Sequence, residues 1–209
     1  MVKSRKELAV FLSKLKVFES PKRQLEQYAT DSEIASLLLW QAYQQGDILD
    51  KTVLDLGAGT GILGIGALIL GAKHVEFLDI DASVYLTIKE NLEMLTDNWE
   101  IDLTDRWSFT NVNCSAACAK VDTVIMNPPF GTSNKHADKG FLKASMKIAP
   151  RIYSMHKTST KGFVQSFSRD NNLQIVWEKD VLFPLKPTMG EHKKRLERIE
   201  VTLFCFDKD

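Results

Sequence analysis

Thr52-Val-Leu-Asp-Leu-Gly-Ala-Gly-Thr-Gly61, continued by the apolar run Ile62 to Leu70, decides the fold. Thr52 to Leu56 has the pattern of a short strand buried on both faces. Gly57 to Gly61 is a tight loop, Ile62 to Leu70 reads as a helix, and Gly71 is its C-cap. Downstream the unit repeats. Val75 to Ile80 is a second strand ending in Asp79-Ile-Asp81, and 82–95 is a second helix. Residues 96–108 are polar and acidic and read as an insertion, followed by a weak strand at Phe109 to Val112. Val121 to Met126 is a strong strand running into Asn127-Pro128-Pro129-Phe130. Residues 131–140 read as a polar loop, Phe141 to Ile148 as a helix, Ile152 to Met155 as a strand and 158–171 as a helix. Leu173 to Leu182 and Ile199 to Phe206 are strands joined by a basic loop. With no helix between them, they form an antiparallel pair at the sheet edge. Upstream, Leu8, Phe11, Leu12 and Leu15 predict an amphipathic helix over 4–17. Gln24 to Ala29 reads as a loop, Thr30-x-x-Glu33 as a capping box, and Leu37 to Trp40 as part of a second helix that Gly46 ends. Alternating strands and helices predict an α/β, doubly wound, mostly parallel sheet. The chain reads as one domain over 1–209, with 1–50 a helical extension and 51–209 the core.

Composition narrows the function. The 209 residues are 44% hydrophobic and 26% charged, which excludes disordered, collagen-like and low-complexity chains. Lys+Arg and Asp+Glu both total 27, so no overall cationic field drives nucleic-acid binding and any such contact is a local patch. Cys114, Cys118 and Cys205 make no disulfide framework, the four histidines have no ligand spacing, and no metal site is read. Free thiols point to a reducing, intracellular setting. The charged N-terminus reads as no signal peptide, and Ile62 to Leu70 is too short to span a membrane.

In an open α/β sheet, ligands bind beyond the C-terminal strand ends. The Gly57–Gly61 loop stands at one such end, where glycines let a ligand approach the main chain closely. Asp79, at the next, offers a carboxylate to both hydroxyls of a ribose. The glycines fall as G-x-G-x-G, with Ile62 where a dinucleotide fingerprint has its third glycine, and no P-loop is present. Asp55, two residues before the loop, has no use for a pyrophosphate but suits a cofactor with a cationic amino-acid end. S-adenosylmethionine has that end and an adenosine.

Asn127-Pro128-Pro129-Phe130 follows a buried strand. Its prolines fix φ and remove two N–H donors, leaving the Asn127 side-chain oxygen and the Pro128 carbonyl as exposed acceptors. Two acceptors match the two N–H bonds of an exocyclic amine. Accepting both draws the nitrogen lone pair out of conjugation, so that it can attack a methyl sulfonium. Phe130 offers a face to a planar base.

Asp55 to Gly61, Asp79-Ile-Asp81 and Asp122-Thr-Val-Ile-Met-Asn-Pro-Pro-Phe-Gly131 together resemble the class I amino-methyltransferases. Leu25-Glu-Gln-Tyr-Ala-Thr30, Ile152-Tyr-Ser-Met-His-Lys-Thr-Ser159 and His192-Lys-Lys194 followed by Ile199-Glu-Val201 resemble, more narrowly, the methyltransferase-like protein 5 family and its archaeal relatives. The resemblance covers nearly the whole chain. It implies a Rossmann-like, seven-stranded sheet and adenine-N6 methylation of small-subunit ribosomal RNA with S-adenosylmethionine. It also implies a partner, a small zinc-binding activator docking near the third strand. Carried over, Gln27, Thr30, Gly57, Thr60, Ile62 and Asp79 line the cofactor site, to which the loop adds Asp55, Gly59 and Gly61. Tyr28 takes a lid role over cofactor or target base. Asn127 to Phe130 form the catalytic tetrapeptide. The sequence departs from the family at the end of its third strand, where an acid is expected. Asn113-Cys114 stand there, and the Asn113 amide is the substitute acceptor for the cofactor's adenine.

Lys193, Lys194 and Arg195, with Lys135 and Lys139, are the candidate RNA-phosphate contacts. A guanine-N2 methyltransferase shares the tetrapeptide and is the nearest enzymatic alternative. A non-catalytic RNA-binding scaffold on the same fold is the alternative of a different class. The expected setting is cytoplasmic, with nuclear presence compatible.

Overall fold

The computed structural model describes residues 2–118, 120–130, 137–185 and 197–208. Seven strands, β1 (Thr52–Leu56), β2 (His74–Asp79), β3 (Trp107–Asn111), β4 (Thr123–Met126), β5 (Arg151–Lys157), β6 (Leu173–Leu185) and β7 (Glu197–Lys208), form one sheet in the order β3-β2-β1-β4-β5-β7-β6. β1 to β5 pair in parallel, while β7 runs antiparallel between β5 and β6, the antiparallel edge pair expected from the sequence. The chain winds outward from β1 to β3 and then restarts at β4 on β1's other side. This switch point opens a crevice beyond the ends of β1 and β4. Asp55 and Ile125 face each other in register, which brings the glycine loop and the Asn-Pro-Pro-Phe segment side by side.

Strand alternation divides the core in two. Val53, Val75, Phe77, Ile125, Tyr153 and Leu203 point to one face, under α1 (Arg5–Leu12), α2 (Ser32–Gln44), α3 (Ile62–Ile69) and α4 (Val84–Trp99). Leu54, Leu56, Leu78, Val124, Met126 and Phe204 point to the other, under α5 (Ala137–Ile148) and α6 (Lys161–Asp170). The N-terminal helices are built into this core. A Cβ at Gly66 of α3 would stand 2.4 Å from Leu39 of α2. Fully buried Asn91 of α4 accepts from Lys16 N at 2.7 Å and donates to the carbonyls of Lys16 and Thr60.

Several boundaries differ from the sequence reading. α1 stops at Leu12, where Ser13 caps it. α2 is capped by Asp31 rather than Thr30, because the Asp31 carboxylate accepts from Glu33 N and Ile34 N. The acidic 96–108 stretch is helical through Trp99, whose ring meets Phe11 edge-on at 4.5 Å; left-handed Glu100 (φ 53°) ends the helix. Arg106 closes the remaining loop by donating to the carbonyls of Asp102, Leu68 and Ala72. Residues 137–140, expected as loop, belong to α5, residues 131–136 lie outside the described residues, and a single 3-10 turn, Thr158–Thr160, precedes α6. Among the described residues, no helix is long and apolar enough to cross a membrane.

Candidate active site

The loop after β1 holds Gly57 and Gly59 at φ 77° and 54°, in the left-handed region that side chains avoid. A Cβ at Gly57 would stand 2.7 Å from Phe141 of α5, and one at Gly59 would stand 3.0 Å from Phe18. Two aromatic rings therefore fence a cradle whose floor is bare backbone. Asp79 organises it: Oδ2 accepts from Gly59 N at 2.9 Å and Oδ1 from Asp81 N at 2.8 Å. The carboxylate keeps further lone pairs for a ligand.

Asp55 lies beneath the cradle, 1% exposed, and its Oδ2 accepts from Gly64 N at 2.7 Å. Among the described residues no cation pairs with it. Burial pushes its carboxyl up to about 8, against the Gly64 bond and helped by the nearby Asp79 charge. The folded protein thus holds a proton that the unfolded chain releases above about pH 4. Stability of the ligand-free protein therefore falls as pH rises toward 8. Asp79, raised by burial, adds the same sign. The melting temperature is expected to drop between pH 6 and pH 8, and Asp55→Asn to make that drop smaller. Identical pH profiles for the two proteins would contradict the assignment.

The cradle opens into a cavity of about 330 Å³, within the range of small-molecule sites. Gln27, Tyr28, Thr30, Asp55, Gly57, Gly59, Thr60, Ile62, Asp79, Asn113 and Cys114 all line it, with Asn127 and Pro129 at its far side. Gly61 does not; at φ 82° it caps α3. Asn113 reaches the cavity, but its Oδ1 already accepts from Ser115 N and Ser115 Oγ, both at 2.9 Å, capping the short 3-10 helix Cys114–Ala116. The acceptor assigned to it by sequence is thus turned toward its own backbone. Burial raises the Cys114 thiol, which leaves it protonated. Phe18 and Phe141 also line the cavity and escape sequence reading, because no local pattern marks them; Leu25 and Ile80 join them from within the Leu25–Thr30 and Asp79–Asp81 motifs, where sequence reading assigns them no role.

The roof is the segment between α1 and α2, latched to the end of β2. Lys22 Nζ donates to Asp81 Oδ1 at 2.7 Å, Gln27 Nε2 to Asp81 Oδ2 at 2.8 Å, and Lys22 N to Gln27 Oε1 at 2.8 Å. Desolvation opposes ionisation of Asp81. Hydrogen bonds from Lys22, Ser83 and Gln27 prevail and hold its carboxyl well below the usual carboxylate range. Asp81→Ala removes both carboxylate anchors and leaves Lys22 Nζ its 3.3 Å bond to Ser83 Oγ. A ligand in the cavity is expected to dissociate about 10-fold faster, the scale of one charged hydrogen bond. Stopped-flow displacement measures this, and an unchanged rate would remove the latch role.

Asn127 and Pro128 stand where roof and crevice meet. Asn127 Nδ2 donates to Thr30 Oγ1 at 2.9 Å, which turns Oδ1 into the crevice. The Tyr28 hydroxyl donates to Asn127 Oδ1 at 3.2 Å and to the Pro128 carbonyl at 3.4 Å. Phe130 stacks on Tyr28, Phe183 of β6 meets both rings edge-on, and Lys157 Nζ lies 6.0 Å from the Phe130 centroid. Phe183 and Lys157 are additions from distant sequence. Lys139 is exposed in the first turn of α5; Lys135, Lys193, Lys194 and Arg195 lie outside the described residues.

A family model described as conserved hypothetical protein 95 matches residues 36–181. Uncharacterized protein MJ0284 of Methanocaldococcus jannaschii is 36% identical, over 98% of this chain and 94% of its own. The rRNA N(6)-adenosine-methyltransferase METTL5 of Danio rerio is 36% identical, over 96% and 97%. The solved structure of PH1948 from Pyrococcus horikoshii superposes with a TM-score of 0.87 at 40% identity, covering 98% of each chain.

Proposed function

The chain belongs to the family of METTL5 rRNA N6-adenosine methyltransferases and their archaeal relatives, and on that premise we propose that it transfers a methyl group to N6 of an adenosine in ribosomal RNA. The observation that carries the amine chemistry is the pair of acceptors, Asn127 Oδ1, which lines the cavity, and the adjacent Pro128 carbonyl, both within reach of one donor; adenine rather than guanine is favoured by the relatives.

The methyl donor is S-adenosylmethionine, which supplies an electrophilic methyl on a sulfonium. The residues present fit it. Asp79 has spare lone pairs for ribose hydroxyls, the glycine cradle admits a ligand against bare backbone, and Asp55 is a buried carboxyl without a counter-charge among the described residues. A bound ammonium near Asp55 would draw that carboxyl back to its ionised form. Asn127 Oδ1 and the Pro128 carbonyl accept the two N–H bonds of the target amine, which makes its lone pair available for attack. Phe130 holds the base plane by stacking, and Thr30 fixes the Asn127 amide. The displaced proton leaves to solvent after transfer, so no side chain has to act as a strong base. Catalysis here is positioning and loss of conjugation.

Within this reading, small-subunit RNA is the substrate, and the protein works inside the cell. Lys139 with Lys135, Lys193, Lys194 and Arg195 hold RNA phosphates. A small zinc-binding activator docks beside β3. That proposal draws support from β3 pairing on one side only among the described residues and from exposed Tyr85, whose ring packs on Trp107 and Phe109 of that strand.

The test is labelled-methyl transfer to ribosomal RNA, followed by nucleoside mass spectrometry, with and without the activator. N6-methyladenosine in the small-subunit fraction is the expected product. N2-methylguanosine would replace the substrate, and cofactor binding without any product would favour the scaffold alternative.

A further inference from the structure

We propose that Tyr28 is an internal occupant of the target-base site, displaced only by a base that carries an exocyclic amine. The inference rests on the amine-methylation reading above, and it assigns the residue that sets which bases enter.

Tyr28 imitates a bound base in three respects. Its ring stacks on Phe130, with centroids 5.0 Å apart and planes 22° apart. The edge of the same site is closed by Phe183, which meets Tyr28 at 5.7 Å and 87° and Phe130 at 5.9 Å and 88°. Its polar end lies on the two acceptors that define the chemistry, Asn127 Oδ1 and the Pro128 carbonyl. A base stacked on Phe130 with its amine on those acceptors would need the volume the phenol fills. Tyr28 and such a base therefore exclude each other.

The imitation is incomplete, and the shortfall produces selection. One O–H hydrogen is shared between two acceptors, at 3.2 and 3.4 Å, both long for an O–H donor, whose usual distance is about 2.7–2.8 Å. An amine brings two hydrogens and satisfies each acceptor separately. Adenine gains a hydrogen bond by replacing Tyr28. Uracil or hypoxanthine would bring a carbonyl oxygen against two acceptors and leave both without a donor. The phenol stays a neutral donor, since burial raises its ionisation well above the ordinary value. The residues on either side of Tyr28 are anchored by their side chains, Gln27 on Asp81 and Thr30 on Asn127, and the proposed exchange is a swing of the Tyr28 side chain between these anchors.

The experiment uses the full chain with S-adenosylhomocysteine and ring-labelled tyrosine, read by NMR. The Tyr28 signal is identified among the four tyrosines by its loss in Tyr28→Phe. The probes are oligoadenylate and oligoinosinate hexanucleotides, which differ at the amine. Oligoadenylate is expected to move the Tyr28 signal out of its stacked position and oligoinosinate to leave it in place. Tyr28→Phe keeps the ring but leaves both acceptors without a donor in the base-free protein. Its KM for ribosomal RNA is expected to fall about 3- to 10-fold, more than kcat changes, the scale of one ordinary hydrogen bond. Its preference for oligoadenylate over oligoinosinate as an inhibitor is expected to narrow. A Tyr28 signal unmoved by saturating oligoadenylate, or moved equally by both probes, would overturn the proposal. Displacement of Tyr28 by oligoadenylate alone, with no N6-methyladenosine formed in ribosomal RNA, would support the gate and overturn only the substrate reading.

Discussion

Asn127→Ala is expected to lower kcat for methyl transfer by about 10²- to 10³-fold while cofactor affinity changes by less than about threefold. The asymmetry follows from what the side chain touches. Its Oδ1 is one of two acceptors facing the amine site, and its Nδ2 is spent on Thr30 rather than on a cofactor contact. Alanine leaves the Pro128 carbonyl alone to accept from the amine. One N–H is then bonded and one is free, and the lone pair stays largely conjugated with the ring. The cradle is untouched: Gly57, Gly59, Asp79 and Asp55 make no hydrogen bond to Asn127. Single-turnover transfer and calorimetric titration of S-adenosylmethionine separate the two quantities. A parallel loss of both would show that Asn127 supports the cavity rather than the chemistry. In the proposed gate, the same substitution also takes from Tyr28 the nearer of its two acceptors, so the Tyr28 ring signal in the variant should loosen before any RNA is added.

Much of this site was legible because it is written in contiguous stretches at strand ends. Thr52 to Gly61, Asp79 and Asn127 to Phe130 each combine a strand with the residues that immediately follow it, and the sheet order then brings their ends together. What escaped depends on contacts between distant segments. Phe18 and Phe141 fence the cradle from α1's exit and from α5, and neither belongs to a pattern that marks a ligand wall. Phe183 reads as an ordinary strand residue until β6 is folded beside the tetrapeptide. Asp81 carries no role in the sequence reading; its oxygens are taken by Lys22 and Gln27, and that latch joins segments 54 and more residues apart. Thr30 looks like a helix cap, but Asp31 caps α2 with a stronger acceptor, and the freed Thr30 hydroxyl orients Asn127. By charge, residues 96–99 belong with the acidic stretch that follows, whereas the Leu92, Leu95, Trp99 spacing continues α4 under α1. Asn113 stood at the right place in the register, and its own short turn then claimed the oxygen.

Asp79→Asn is expected to produce the complementary failure, weakening S-adenosylmethionine by at least about 10²-fold and raising its KM far more than it lowers kcat. Both carboxylate oxygens are in use without any ligand, Oδ2 on Gly59 N and Oδ1 on Asp81 N. An amide has one oxygen. Whichever way it turns, its NH2 faces a backbone N–H, so either the glycine cradle or the start of the turn after β2 loses its acceptor. The ribose hydroxyls meanwhile lose a charged acceptor, and a hydrogen bond to a charged group contributes about 1.5–3 kcal/mol. Two such bonds amount to a factor of at least about 10², before any disorder of the loop is added. The amine site lies across the cavity and keeps Asn127, Pro128 and Phe130, so methyl transfer should return as cofactor concentration is raised. Calorimetry and initial rates over a wide cofactor range test this together. A variant that binds cofactor normally but transfers slowly would place Asp79 in the chemistry and would leave the ribose without an assigned partner. The opposite responses of Asn127→Ala and Asp79→Asn are what two half-sites at the ends of neighbouring regions of one sheet require. In the proposed reading the end of β2 holds the donor and the end of β4 holds the amine, and the sheet order places the glycine loop at the end of β1 between them.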